Sequence, residues 1–134
     1  MSDKSESEKS ASEKSKPGKI LWTDLTVEDA ESVKQFYEKV IGWTSSPVSM
    51  GDYNDYNMTV EGEAEPTAGI CHAKGGNANI PPVWMVYISV DNLLESLSQC
   101  ESMGGKVLKR PEGEGKYAII EDPAGAVCTL YQDN

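Results

Sequence analysis

Trp22–Gly42, WTDLTVEDAESVKQFYEKVIG, and Met85–Gly105, MVYISVDNLLESLSQCESMGG, carry one plan twice. Val27 matches Val90, an offset of 63 residues (90 − 27). The same offset carries Leu25 to Ile88, Thr26 to Ser89, Glu28 to Asp91, Glu38 to Glu101 and Gly42 to Gly105. Each copy reads as an apolar strand, an acidic turn, an amphipathic helix and a glycine stop. Such a duplication predicts two half-domains about a pseudo-twofold axis bracketing a cavity, with chemistry to be sought first at matching strand positions.

In the first copy, strand alternation over Ile20–Val27 puts Leu21, Leu25 and Val27 on one face and Ile20, Trp22 and Asp24 on the other. Asp29 is a suitable N-cap, and Glu31 falls in the first helical turn, where the helix dipole favours a negative charge. Val33, Phe36, Tyr37, Val40 and Ile41 recur at helical spacing and predict one buried stripe. Gly51-Asp52 and Gly62 divide the following chain into strands Trp43–Val48, Tyr53–Glu61 and Thr67–Ala73. KGGNANIPP, Lys74–Pro82, reads as a linker.

In the second copy Trp84–Val90 is the strand, with Val86, Ile88 and Val90 facing one way and Met85, Tyr87 and Ser89 the other. Asn92 caps a helix with Glu95 at capping-box spacing, and Leu93, Leu94, Leu97, Cys100 and Met103 supply its apolar face. Lys106–Arg110, Lys116–Glu121 and Val127–Gln132 complete the module, the last two joined by a type I turn at Asp122–Gly125. The fold class is α+β: two βαβββ modules, 20–73 and 83–132, within one domain 20–134, forming a cupped mixed sheet around a central cavity. One helix per module can cover only one face of its sheet.

Residues 1–19, MSDKSESEKSASEKSKPGK, have no apolar side chain larger than Ala after the first Met and are expected to be a disordered tail. Of the chain's 12 basic and 22 acidic side chains, five and four lie in that tail, leaving seven and 18 for the remainder. A domain this acidic repels phosphate backbones and argues against nucleic acid as a partner. Cys71, Cys100 and Cys128 sit far apart, without the spacing of a zinc or redox motif. No run approaches the ~20 apolar residues that span a bilayer, so no membrane association is expected and the reading is of a cytoplasmic protein with reduced thiols.

ILWTDLTVEDAESVKQFYEKVIGW, VYISVDNLLESLSQCESMGGKV and YAIIEDPAGAVCTLYQ, in this order and spacing, resemble the vicinal oxygen chelate superfamily, the glyoxalase / bleomycin-resistance / extradiol-dioxygenase group. The resemblance runs from about Lys19 to Gln132. It implies a duplicated module folded about a central site, where many members hold a divalent metal through four side chains, typically His, Glu or Gln. Three of those places fall here on Trp22, Met85 and Thr129, and the fourth within Gly69–His72. Indole is no metal ligand, thioether suits soft ions only and a threonine hydroxyl is a weak donor. The reading is therefore of a protein with no metal and no cofactor.

Trp22, Asp24, Met85, Tyr87, Thr129 and Tyr131 are the candidate ligand-binding residues, an aromatic and apolar lining with one inward acid. His72, the single histidine, is open between ligand, base and a satisfied imidazole. Cys71 and Cys128 have no neighbouring base in sequence, PEGEGK at Pro111–Lys116 reads as a hairpin turn, and no catalytic residue is assigned. The expected function is binding of a small organic molecule in the cavity, by a homodimer as the resemblance implies. The alternative the resemblance carries is a metal-dependent lyase or isomerase of the glyoxalase type.

Overall fold

The computed structural model describes residues 16–133, so most of the expected tail lies outside the described residues. Gly18 and Lys19, its last two residues, are paired: Gly18 N–H donates to the Ser89 carbonyl at 2.8 Å and Ser89 N–H to the Lys19 carbonyl at 2.9 Å. The fold is α+β, built of two βαβββ modules. Contacts gather residues 22–85 into one compact unit and residues 86–133, with 16–21, into a second.

The first module runs β1 (Ile20–Val27), α1 (Ala30–Val40), β2 (Thr44–Ser49), β3 (Asn54–Thr59) and β4 (Ala68–His72). Its strands lie in the order β2-β3-β4-β1, antiparallel except that β4 and β1 are parallel. The Asp29 carboxylate accepts from Ser32 N–H at 3.1 Å and caps α1. Gly42, at φ +92°, ends it in the left-handed region where a side chain would be strained. The core is Leu25, Ala30, Tyr56, Met58 and Ile70, flanked by Val27, Val33, Tyr37, Trp43 and Trp84.

The expected helical stripe is narrower than its spacing suggests. Phe36 is 55 % exposed, Val40 63 % and Ile41 53 %, while Ala30, Val33 and Tyr37 meet the sheet. At about 100° per residue Phe36 turns well away from Tyr37, and Val40 and Ile41 sit in the last turn and the C-cap.

The second module runs β5 (Trp84–Ser89), α2 (Leu93–Ser102), β6 (Lys106–Lys109), β7 (Tyr117–Glu121) and β8 (Val127–Tyr131), with sheet order β5-β8-β7-β6. β5 and β8 are parallel and β8-β7-β6 antiparallel, with a bulge between Val107 and Lys109. Asn92 Oδ1 accepts from Glu95 N–H at 3.1 Å and starts α2. Leu93, Leu97, Ala118 and Leu130 form this core, with Ile88, Val90, Val107, Ile120 and Cys128 packed against it. Leu94 and Met103, expected on the buried helix face, are exposed. Leu94 follows the buried Leu93 by one residue and therefore points away from the sheet. Among the described residues no helix is long and apolar enough to cross a membrane.

Candidate functional site

Each helix covers one face of its sheet, so the opposite face of each module presents the alternate residues of every strand. In the first module Leu25, Tyr56, Met58 and Ile70 are buried in the core beneath α1. Trp22 and Asp24 of β1, Asp55 and Asn57 of β3, and Gly69 and Cys71 of β4 alternate with them. β1 and β4 run parallel with Asp24 opposite Gly69, and β3 sets Asn57 opposite Gly69.

Trp22 Nε1–H donates to Asp24 Oδ1 at 2.6 Å. The carboxylate lies directly over Gly69: a Cβ there would come within 2.4 Å of Asp24 Oδ1 and 3.5 Å of the Trp22 ring. Real Cβ atoms do not tolerate the first distance, so the missing side chain at 69 creates the seat for the acid. Burial pushes the Cys71 thiol up to about 12, and the carboxylates of Asp24 and then Asp55 add to the shift. Two carboxylates therefore act on one thiol, which stays protonated at neutral pH and is a poor nucleophile. Burial likewise raises Cys128, followed by the charge of Asp122 and the influence of Cys100.

Of the sequence candidates, Trp22 and Asp24 are bonded to each other, and Met85, in the same unit, is buried at 3 % exposure. Tyr87, Thr129 and Tyr131 belong to the second unit. There Tyr87 registers with Thr129 and Ser89 with Tyr131 across β5 and β8, and Thr129 is 1 % exposed. Tyr117 of β7 pairs with Tyr131, and Lys109 Nζ donates to the Tyr117 hydroxyl at 2.8 Å.

Sequence reasoning brought Gly69 and Cys71 near the site only as part of the window Gly69–His72, and missed Asp55, Tyr117 and Lys109 as neighbours of the candidate residues. The strand alternation of β3 and β4 carried their facing, but the registers that join them to β1 and β8 depend on long-range pairing. His72 shares strand phase with Ile70 rather than Gly69. Its Nδ1 lies 2.8 Å from the Asn54 carbonyl, and its ring meets Tyr53 edge-on and lies near Tyr56. Asp55 Oδ1 accepts from His72 N–H at 2.9 Å.

The fit of these residues to a divalent ion is poor. The indole N–H at position 22 is a donor already engaged by Asp24, and Met85 and Thr129 offer a thioether and a neutral hydroxyl. Among the described residues no three His, Cys, Asp or Glu side chains group as a metal site. The donor set does not suit the hard or borderline ions that imidazole and carboxylate hold.

Residues 19–129 match the family model described as the Glyoxalase/Bleomycin resistance protein/Dioxygenase superfamily. The chain belongs to that superfamily. It is 28 % identical over 118 residues to CFP32 of Mycobacterium bovis, which bears the provisional designation of glyoxylase, a match covering 86 % of this chain and 44 % of that protein. It is also 28 % identical over 131 residues to the anthracycline biosynthesis protein DnrV of Streptomyces peucetius, covering 87 % and 47 %. The chain thus spans about half the length of these relatives. Methylmalonyl-CoA epimerase from Mycobacterium tuberculosis has the same fold at a TM-score of 0.53 and 14 % identity, over 92 % of this chain and 94 % of the epimerase. A Bacillus halodurans protein, BH1468, gives a TM-score of 0.57 at 12 % identity, over 89 % and 96 %.

Proposed function

We propose that this superfamily member binds a small organic molecule, without the family's metal, on the helix-free sheet face that carries Trp22 and Asp24. The observation behind the reading is the 2.6 Å bond from the Trp22 indole to the Asp24 carboxylate, seated on Gly69. An inward acid fixed against an aromatic ring is costly to maintain as packing alone, whereas it orients a ring and a charge toward a ligand. Met85 belongs to the proposed ligand-binding residues of the same unit, and Tyr87, Thr129 and Tyr131 are proposed as ligand-binding residues of the second unit. The relatives named for anthracycline biosynthesis support a flat aromatic ligand. The wider proposal is of a cytoplasmic homodimer that engages neither nucleic acid nor membrane.

The provisional glyoxylase designation of CFP32 supports the other reading, a metal-dependent glyoxalase-type enzyme. The donors at positions 22, 85 and 129 weigh against it, and no reaction step is assigned.

Calorimetric titration of chelator-treated protein with a flat aromatic cation, 9-aminoacridine, tests the proposal. Saturable binding is expected, unchanged when nickel, zinc or manganese is restored, and weakened about tenfold by Asp24→Asn through loss of a charge-assisted contact. Binding that needs an added divalent ion would revive the enzyme reading, and equal binding by the Asp24→Asn variant would remove Asp24 from the site.

A further inference from the structure

The second unit holds a cleft of about 400 Å³ to which the sequence reading assigned no ligand, taking Pro111–Lys116 as a hairpin turn. It lies where the start of α2, the β6–β7 hairpin and the residue after β8 converge, and it shares no residue with the Trp22–Asp24 face. The volume falls within the range of small-molecule sites. Its apolar part is Leu93, Leu94 and Pro111. Leu94 is 68 % exposed, a large aliphatic side chain left at the mouth of a concavity.

Its polar part is set by Gln132. The backbone N–H of Gln132 donates to the Lys116 carbonyl at 2.8 Å, and its Oε1 accepts from Leu93 N–H at 2.7 Å, capping the first turn of α2. With the oxygen thus committed, the side-chain amide presents its Nε2 donor, which has no acceptor among the described residues. Arg110 and Lys116 line the same cleft. One Arg110 Nη2–H donates to Glu101 at 2.8 Å, leaving the other donors of the planar fork. Glu114 is the single acid among the lining residues; Glu101, which pairs with Arg110, is not one of them.

The charge distribution of the whole chain isolates this place. Of the seven basic residues beyond position 19, four fall between 106 and 116, Lys106, Lys109, Arg110 and Lys116, against two acids in that span, Glu112 and Glu114. The rest of an acidic domain repels anions, so this edge is where one is least opposed.

We propose that the cleft is a binding site for a small organic monocarboxylate. Its apolar body rests on Leu94 and Pro111, beside the buried Leu93, and its carboxylate is met by Gln132 Nε2, Arg110 and Lys116. The one lining acid, Glu114, selects against dianions. The site is independent of the proposed ligand at Trp22 and Asp24, and each can fail without the other.

Phenylacetate and its neutral analogue phenylacetamide, titrated into the ¹⁵N-labelled full chain and followed by two-dimensional NMR, test the site. Phenylacetate is expected to shift the backbone signals of Leu93, Gly113 and Gly115 and the side-chain amide of Gln132 along one saturating curve. The amide is expected to bind about tenfold or more weakly, because it forfeits the charge-assisted hydrogen bonds. Gln132→Glu keeps an oxygen for Leu93 N–H while replacing the Nε2 donor with a carboxylate, and is expected to abolish phenylacetate binding. Lys116→Gln, on an exposed side chain, is expected to weaken it and serves if Gln132→Glu unfolds. Equal shifts from acid and amide, no shift of these signals up to about 10 mM, weaker than any useful site, or wild-type binding by the variants would overturn the proposal.

Discussion

The Tyr56 hydroxyl donates to the Glu31 carboxylate at 2.5 Å, fastening strand β3 to the first turn of α1. That contact, helped by the Lys34 ammonium, holds Glu31 below the usual carboxylate range. In return the Glu31 contact, with burial, pushes Tyr56 up to about 12. The two shifts act at opposite ends of the pH scale. Glu31 is depressed on folding, so its contribution is present above the ordinary carboxylate range and is lost as pH falls through the folded value. Tyr56 is raised, so its contribution is present below 10.0 and is lost as pH rises through about 12. Urea unfolding of Tyr56→Phe across this range is expected to show lower stability at neutral pH and a flatter dependence at both ends. A pH profile parallel to wild type would discount the contact.

The Asp24 seat makes a steric prediction. Gly69 has ordinary backbone geometry, so Gly69→Ala strains nothing by itself; the conflict is the 2.4 Å approach to Asp24 Oδ1. The carboxylate must leave, and the Trp22 indole loses its acceptor. Stability is expected to fall by about 1–3 kcal/mol, the usual scale of overpacking, and the Trp22 indole N–H resonance to move upfield. An unchanged indole resonance would show that Asp24 keeps its place by another adjustment. If the proposed ligand uses Asp24, the same variant also loses its binding.

The duplicated strand–helix unit was legible because it is written in local signals. Alternation fixed Ile20–Val27 to the residue, and Asp29, Asn92 and Gly42 act as the caps and stop that their chemistry suggests. The helix faces were overread, since periodicity marks which residues share a side but not how wide a stripe the sheet covers. The candidate site was legible only strand by strand. Trp22 and Asp24 followed from alternation, while Gly69 and Cys71 came beside them through a parallel pairing whose partner strand lies some 45 residues away (69 − 24). Such a register is set by tertiary packing and leaves no local pattern.

Core and stripe can be separated by a pair of substitutions. Met58 is fully buried at 0 % exposure, and Phe36 is 55 % exposed. Met58→Ala opens a cavity and is expected to cost about 2–5 kcal/mol. Phe36→Ser removes a ring whose one aromatic contact is an edge-on approach to Tyr37 at 5.1 Å; its cost is expected to be under about 1.5 kcal/mol. Equilibrium denaturation of the two variants decides the matter. A Phe36→Ser loss equal to that of Met58→Ala would mean that the ring is covered in the protein as it exists in solution.

Cys71 reports on the charge beside it. Its thiol is raised first by burial and then by Asp24 and Asp55, so iodoacetamide is expected to label it slowly in the native protein at pH 8.5, where an ordinary cysteine is about half thiolate. Asp24→Asn preserves an oxygen for the Trp22 indole while removing one negative charge. Labelling of Cys71 in that variant is expected to quicken by roughly threefold to tenfold, the scale of one nearby charge on a partly buried group. Peptide mass spectrometry follows each thiol separately, and Cys128, raised by burial and the charge of Asp122 instead, is the internal control. Equal acceleration at both positions would mean that the substitution loosens the fold. Acceleration at Cys71 alone would tie the Asp24 charge to the thiol, and no acceleration would mean that burial governs Cys71 by itself.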